Sequence, residues 1–372
     1  MTIENKRIPE LAGIRGLAIL LVLAWHYLSV PTVPALGFVH QAIMMTWSGV
    51  DLFFVLSGFL IGGILIDVRR APNYFKTFYV RRAFRILPPY LALLLLAAAT
   101  LCSLRNVLPY ALFLQNLLMA NWHSFGPSIL SVTWSLAVEE QFYLTLPTLI
   151  ALVPPKHLSK TIVILAVASA VFRSIAFLSH PRWAMSAYVL FPCRAEGLLL
   201  GVLTAIAFRD QSALGQLQRR RALVCGVGGA AGLVIAACWW MDYRVLGPQM
   251  STFGYTVFAI FYASLLVLTL TSRGALKAIS CWRWLRWLGI RAYGLYLIHV
   301  LALESAFRLF GSKLELSRMA DLIPWTAAIA ATLVIAELSW KFFESPLVKI
   351  GHRFAYRSAP SPSASAAGSS PF

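Results

Sequence analysis

Charge is what this chain has least of. Asp, Glu, Lys and Arg make up 12% of its 372 residues, hydrophobic types make up 59%, and mean hydropathy is +0.73. A soluble globular domain carries about 25% charged residues, so the composition excludes that class and points to an all-α polytopic membrane protein. Acidic residues are scarcer still, 14 against 32 basic, for a formal charge of +18. In a soluble chain that surplus would indicate nucleic acid. Here it sorts by loop instead, and no nucleic-acid partner is expected. Cysteine is also sparse. Cys102, Cys193, Cys225, Cys238 and Cys281 contain no C-x-x-C pair, which excludes a disulfide framework or a zinc site and leaves packing roles; no metal is expected.

Long apolar runs are abundant. About ten transmembrane helices are expected, at 11–30, 46–66, 84–103, 134–153, 160–179, 188–208, 222–241, 252–272, 289–310 and 322–342. Both termini then fall on one side, together with the loops around 67–85, 154–160, 209–221 and 273–291. That side holds 23 of the 32 Lys and Arg, and the opposite loops hold five: Arg105, Arg182, Arg244, Lys313 and Arg318. The positive-inside rule therefore places both termini in the cytoplasm, in a bacterial inner membrane. Lys6 and Arg7 precede a first span too long for a signal h-region, which reads as a retained anchor. Residues 1–350 read as one integral-membrane domain and 351–372 as a cytoplasmic tail, disordered from about Ser358, where Ser, Ala, Pro and Gly dominate. The longest outward segment, 104–133, has an apolar middle from Val107 to Ala120, too short to span and suited to a re-entrant or interfacial helix.

The polar residues inside these spans are the informative ones. Arg15 and His26 lie eleven residues apart, three helical turns to within about 20°, so they share one face about 16 Å apart along the axis. An ionisable group in a span costs about 2.5–3.5 kcal/mol on insertion scales, so two on one stripe imply a polar interior site. His26, at the outer end, has the chemistry of a general base for a hydroxyl attacking an acyl group. Asp51 in the second span sits at about the same depth and is expected to orient the imidazole. Gly58 and Gly62 form a G-x-x-x-G stripe of the kind that packs helices closely. Arg82 and Arg85, three apart at the expected cytoplasmic start of the third span and followed by the helix-bending Pro88-Pro89, suit phosphate, whereas Arg69 and Arg70 are explained by anchoring alone.

The fourth span opens Trp134-Ser135 and continues to Glu139-Glu140-Gln-Phe-Tyr143. Adjacent carboxylates cannot share a helix face, so at least one should meet a sugar hydroxyl or a cation, with Arg15 or Arg194 as structural partners. Arg194 and Glu196 in the sixth span, His299 in the ninth and Glu344 at the end of the tenth are further polar positions. Trp47, Trp122, Trp134 and Trp183 lie on the outward side, as membrane anchors or sugar-stacking surfaces.

Six segments in order resemble the membrane-bound acyltransferase-3 family, whose members O-acylate envelope glycans, lipids and other exported molecules. They are Arg15 with His26; Gly49-Val-Asp-Leu-Phe-Phe-Val-Leu-Ser-Gly-Phe-Leu-Ile; Arg82-Ala-Phe-Arg85 with Leu-Pro-Pro; Trp134 through Tyr143; Arg194 through Gly201; and Leu288 through His299. The resemblance covers most of residues 8–350. It implies ten helices, acyl-CoA taken from the cytoplasm, an acceptor on the outer side, and a need for Arg15, His26, Arg82 and Arg85. One departure is Arg291-Ala292, where many members carry Ser or Thr before the tyrosine. The esterase-like domain appended in some members is not expected here.

The expected activity is O-acyl transfer, chiefly O-acetyl transfer. Arg82 and Arg85 would hold the phosphates of acetyl-CoA, and its pantetheine arm would pass Arg15. His26, oriented by Asp51, Glu139 or Glu140, would deprotonate the acceptor, with a covalent acyl-histidine as an alternative. Trp134, Ser135, Tyr143, Arg194 and His299 are expected as substrate-facing or structural polar positions. Acceptors that fit are exopolysaccharide, O-antigen and lipid-linked oligosaccharide. Membrane lipids and polysaccharide assembly proteins are the expected partners. The alternative is a secondary transporter with an intramembrane Arg/His/Glu relay.

Overall fold

A computed structural model describes residues 8–28, 42–101, 107–241, 244–312, 314 and 319–357. Every regular element among them is helical. The long helices are α1 (Pro9–Leu28), α2 (Gly49–Asp67), α3 (Tyr74–Leu101), α4 (Trp134–Leu152), α5 (Pro155–Ser179), α6 (Phe191–Ala207), α7 (Arg221–Trp240), α8 (Tyr255–Thr271), α9 (Ala292–Leu309) and α10 (Leu322–Ser339). Seven helices are long and apolar enough to cross a membrane, or nine if each of two bent pairs is one span, against the ten expected. Helix α4 lies outside that count although its 19 residues extend about 28 Å, because Glu139-Glu140-Gln141 lower its hydropathy. The tail from Ser358, Cys102 and the loop residues Arg105, Lys313 and Arg318 lie outside the described residues.

The expected boundaries hold to within a few residues except at α3. That helix begins at Tyr74 rather than near residue 84 and runs on through Pro88 and Pro89, which places Arg82 and Arg85 two to three turns inside it. Lys and Arg are good helix formers with long apolar stems, so a basic run that reads as a loop by hydropathy continues the helix instead. Between α3 and α4 the expected single helix over Val107–Ala120 is two short ones, Leu108–Ala111 and Gln115–Trp122, divided at Phe113, whose φ of 54° no helix accommodates. Buried Gln115 and Asn116 dock the second piece: Gln115 donates to the Thr133 carbonyl at 2.8 Å, and Asn116 exchanges amide hydrogen bonds of 3.0 and 2.9 Å with Gln141.

Helix α2 is the most enclosed of the seven candidate spans and α7 the least, 72% against 17% buried. Lipid tails supply no hydrophobic drive between helices, so close backbone approach has to hold α2 in place. A Cβ at Gly58 would lie 1.8 Å from the Leu198 carbonyl, and one at Gly201 2.1 Å from the Val55 carbonyl, so α2 and α6 touch backbone to backbone, as the G-x-x-x-G spacing foretold. Helix α1 meets the short helix Arg283–Ile290 in the same way. A Cβ on Gly16 would reach 1.9 Å from the Leu285 carbonyl, and one on Gly289 would reach 1.8 Å from that of Ala12. Arg283–Ile290 then turns by 77° into α9. Arg291 marks the bend. It is ion-paired with Glu337, donating to Oε1 at 2.9 Å, and its guanidinium lies 4.5 Å from the Trp287 ring centre. The position where the family's hydroxyl is missing thus carries an anchor between α9 and α10.

Candidate active site

Two cavities meet in the middle of the bundle. The first, about 210 Å³, is lined by Arg15, Arg82, Arg85, Glu139, Ser57, Tyr143 and Tyr293, among others. The second, about 860 Å³, is lined by His26, Trp25, Trp47, Trp134, Tyr188 and Arg244, among others. Val50 and Tyr296 belong to both walls. The single face of α1 predicted from the eleven-residue spacing therefore passes from one cavity to the other, with Arg15 in the first and His26 in the second.

In the arginine cavity three guanidinium groups share space with one carboxylate, a formal surplus of two positive charges. Among the described residues none of the three is ion-paired. Arg82 lies over the Tyr143 ring at 5.1 Å, a cation–π contact that holds the side chain without neutralising it. Glu139 is held by Ser57 Oγ and Tyr143 OH, each donating at 2.9 Å, and so stays off the arginines. The expected ion pair between the fourth-span glutamates and Arg15 or Arg194 is not formed. Glu140, about 100° around α4 from Glu139, points away, and its Oε1 has no hydrogen-bond partner among the described residues. An unneutralised cluster of forked donors next to a narrow cavity is a site for a phosphate-bearing ligand.

Asp51 does not orient His26. Its Oδ1 accepts a 2.7 Å hydrogen bond from Arg194 Nη2, and both side chains are buried. Arg194 is boxed by aromatic rings, with Tyr255 at 4.0 Å and Tyr188 at 5.3 Å from its guanidinium carbon. A buried carboxylate in an apolar span is held by the nearest cation on a neighbouring helix, and the α2–α6 packing makes that cation Arg194. Arg173 and Glu196 form a second buried ion pair, to which Ser169 also donates at 3.0 Å. Both pairs are structural.

The partner of His26 is His299, whose Nε2 lies 3.2 Å from His26 Nδ1. The rings meet edge to face, 4.6 Å between centroids at 73°. The same Nδ1 lies 2.9 Å from the Val22 carbonyl. Ser135 Oγ and Tyr296 OH are 2.6 Å apart, and Tyr296 donates to the Val132 carbonyl at 2.7 Å, fixing the phenol at the junction of the cavities. Of the four outward tryptophans, Trp47 and Trp134 are buried in the histidine cavity wall. Trp122 and Trp183 are half exposed and remote from it. Tyr293, Tyr296 and Tyr188 were not singled out from sequence. The spacing Tyr293, Tyr296, His299, three residues at each step along α9, is the signal that would have found two of them.

Residues 8–340 match the model of a family described as "Acyltransferase domain". The chain is 28% identical over 382 residues to the peptidoglycan O-acetyltransferase OatA of Listeria monocytogenes serovar 1/2a, an alignment covering 94% of this chain and 57% of that protein. It is 23% identical over 385 residues to the O-acetyltransferase OatA of Staphylococcus aureus strain NCTC 8325, covering 94% of this chain and 58% of that protein. The chain thus spans a little over half the length of the curated relatives it matches. No solved structure matches it.

Proposed function

Because the chain belongs to the acyltransferase family whose model it matches over residues 8–340, we propose that it is an O-acetyltransferase moving an acetyl group from acetyl-CoA to a hydroxyl of a cell-wall saccharide. The single observation that carries this reading is the Arg15 and His26 stripe, which joins a phosphate-suited cavity to an aromatic-walled one across a shared wall at Val50 and Tyr296. The relatives' names supply the acceptor class. The aromatic wall of Trp25, Trp47, Trp134 and Tyr188 is suited to stack on sugar rings.

Arg82 and Arg85 bind the phosphates of acetyl-CoA, with Arg15 further along the path. At about 210 Å³ the arginine cavity is smaller than the ~300–1,000 Å³ that drug-sized ligands occupy, so it takes a slender chain while the nucleotide stays at its mouth. At the junction the thioester carbonyl meets the acceptor. His26 takes the proton of the acceptor hydroxyl as the oxygen attacks the carbonyl carbon. The tetrahedral intermediate collapses to the ester, and the departing CoA thiolate receives the proton from the imidazolium. The loop charges set the direction, with the arginine cavity toward the bacterial cytoplasm and the histidine cavity toward the acceptor outside.

Membranes containing the chain, supplied with acetyl-CoA labelled in the acetyl group and with cell-wall saccharide, incorporate label into the saccharide as alkali-labile ester. Incorporation no greater than in membranes lacking the chain overturns the reading.

A further inference from the structure

The two rings at the end of the stripe assign each other's protons. His299 Nδ1 lies 2.8 Å from the Tyr296 carbonyl and 3.2 Å from the Leu295 carbonyl. Carbonyl oxygens only accept, so this nitrogen carries the proton, and in the neutral ring Nε2 is then an acceptor. The atom 3.2 Å from that acceptor is His26 Nδ1, which also faces the Val22 carbonyl at 2.9 Å. A proton on His26 Nδ1, shared between those two acceptors, satisfies all three groups. The lone pair of His26 is thereby left on Nε2.

We propose that His299 is the positioning residue of the reaction: by accepting the Nδ1 proton of His26 across the α1–α9 contact it holds that imidazole in the tautomer whose Nε2 is free to take a proton. The proposal rests on the reading of His26 as general base. In hydrolase triads a carboxylate performs this task, but a second buried carboxylate would add a charge to the span, and the nearest one, Asp51, is committed to Arg194. A neutral histidine supplies the acceptor without the charge. Its own place is fixed from both sides. The His299 carbonyl accepts from Tyr27 OH at 3.1 Å, Tyr27 OH lies 2.7 Å from Thr332 Oγ1 of α10, and the His299 side chain is fully buried. Tyr27 is the residue after His26, so the same contact ties both ends of the histidine pair.

The test compares His299→Gln, whose amide oxygen can sit near the position of the imidazole Nε2 and accept, with His299→Phe, which fills the space but accepts nothing. Turnover is expressed per acetyl-CoA-binding site in detergent-purified full-length chain, so that misfolded protein is not counted. His299→Phe lowers kcat about 100-fold with KM for acetyl-CoA unchanged, the scale of general-base catalysis, and His299→Gln recovers most of that loss. Should His299→Phe leave too few binding sites to measure, His299→Met takes its place with the same expectation. Wild-type kcat in the non-accepting variant, or a glutamine variant no better than it, overturns the proposal. A parallel His26→Ala arm separates the two claims. A fully active His26→Ala removes the general-base reading itself, whereas an inactive His26→Ala beside a fully active His299→Phe removes only the role of His299.

Discussion

His26→Ala lowers kcat for acetyl transfer by about 10²–10⁴-fold, the range a positioned general base contributes, and leaves acetyl-CoA affinity unchanged. The split follows from the layout. His26 lines the large aromatic cavity, and the three arginines line the other one, some 16 Å away along α1. Alanine removes the proton acceptor without disturbing the phosphate side. It also suits a helix interior, so α1 keeps its form. His26 donates only to Val22 and His299, and loss of those contacts leaves the glycine-mediated packing of α1 on Arg283–Ile290 untouched. The measurement is steady-state transfer with purified protein at matched acetyl-CoA-binding capacity. Undiminished kcat would remove His26 from the chemistry.

Arg82→Ala combined with Arg85→Ala shows the opposite split. Hydrogen bonds to charged groups contribute about 1.5–3 kcal/mol each, so losing two weakens acetyl-CoA binding by about 3 kcal/mol or more, about 100-fold in Kd. No ion pair is broken, because neither arginine has a carboxylate partner among the described residues. The variant relieves mutual repulsion with Arg15, and the unliganded protein is no less stable. Only the cation–π contact of Arg82 with Tyr143 is lost. Equilibrium binding of acetyl-CoA to the purified variant checks this, and an unchanged Kd discards the phosphate-binding role.

The arrangement of spans was legible because a bilayer demands long apolar runs, and the runs mark nearly every helix. Helix α3 was misjudged at its start because hydropathy treats Lys76, Arg81 and Arg82 as loop residues, while their backbone is helical. The Arg15 and His26 stripe was legible because it depends only on helical pitch. Contacts between helices were not. Asp51 and His26 share a depth, and nothing in one dimension says that Asp51 faces α6 and Arg194 while His26 faces α9 and His299. Glycine was the exception. The spacing of Gly58 and Gly62 foretold a close helix crossing, and the backbone contact of Gly58 with Leu198 realises it.

The most direct test of transfer across the bundle uses sealed, uniformly oriented vesicles. Acetyl-CoA is supplied only to the face bearing Arg82 and Arg85, and saccharide acceptor only to the face bearing His26. Acetylated saccharide then accumulates on the His26 face, and exchanging the two compartments yields none. Equal product in the exchanged arrangement would contradict a path running from the arginine cavity to His26.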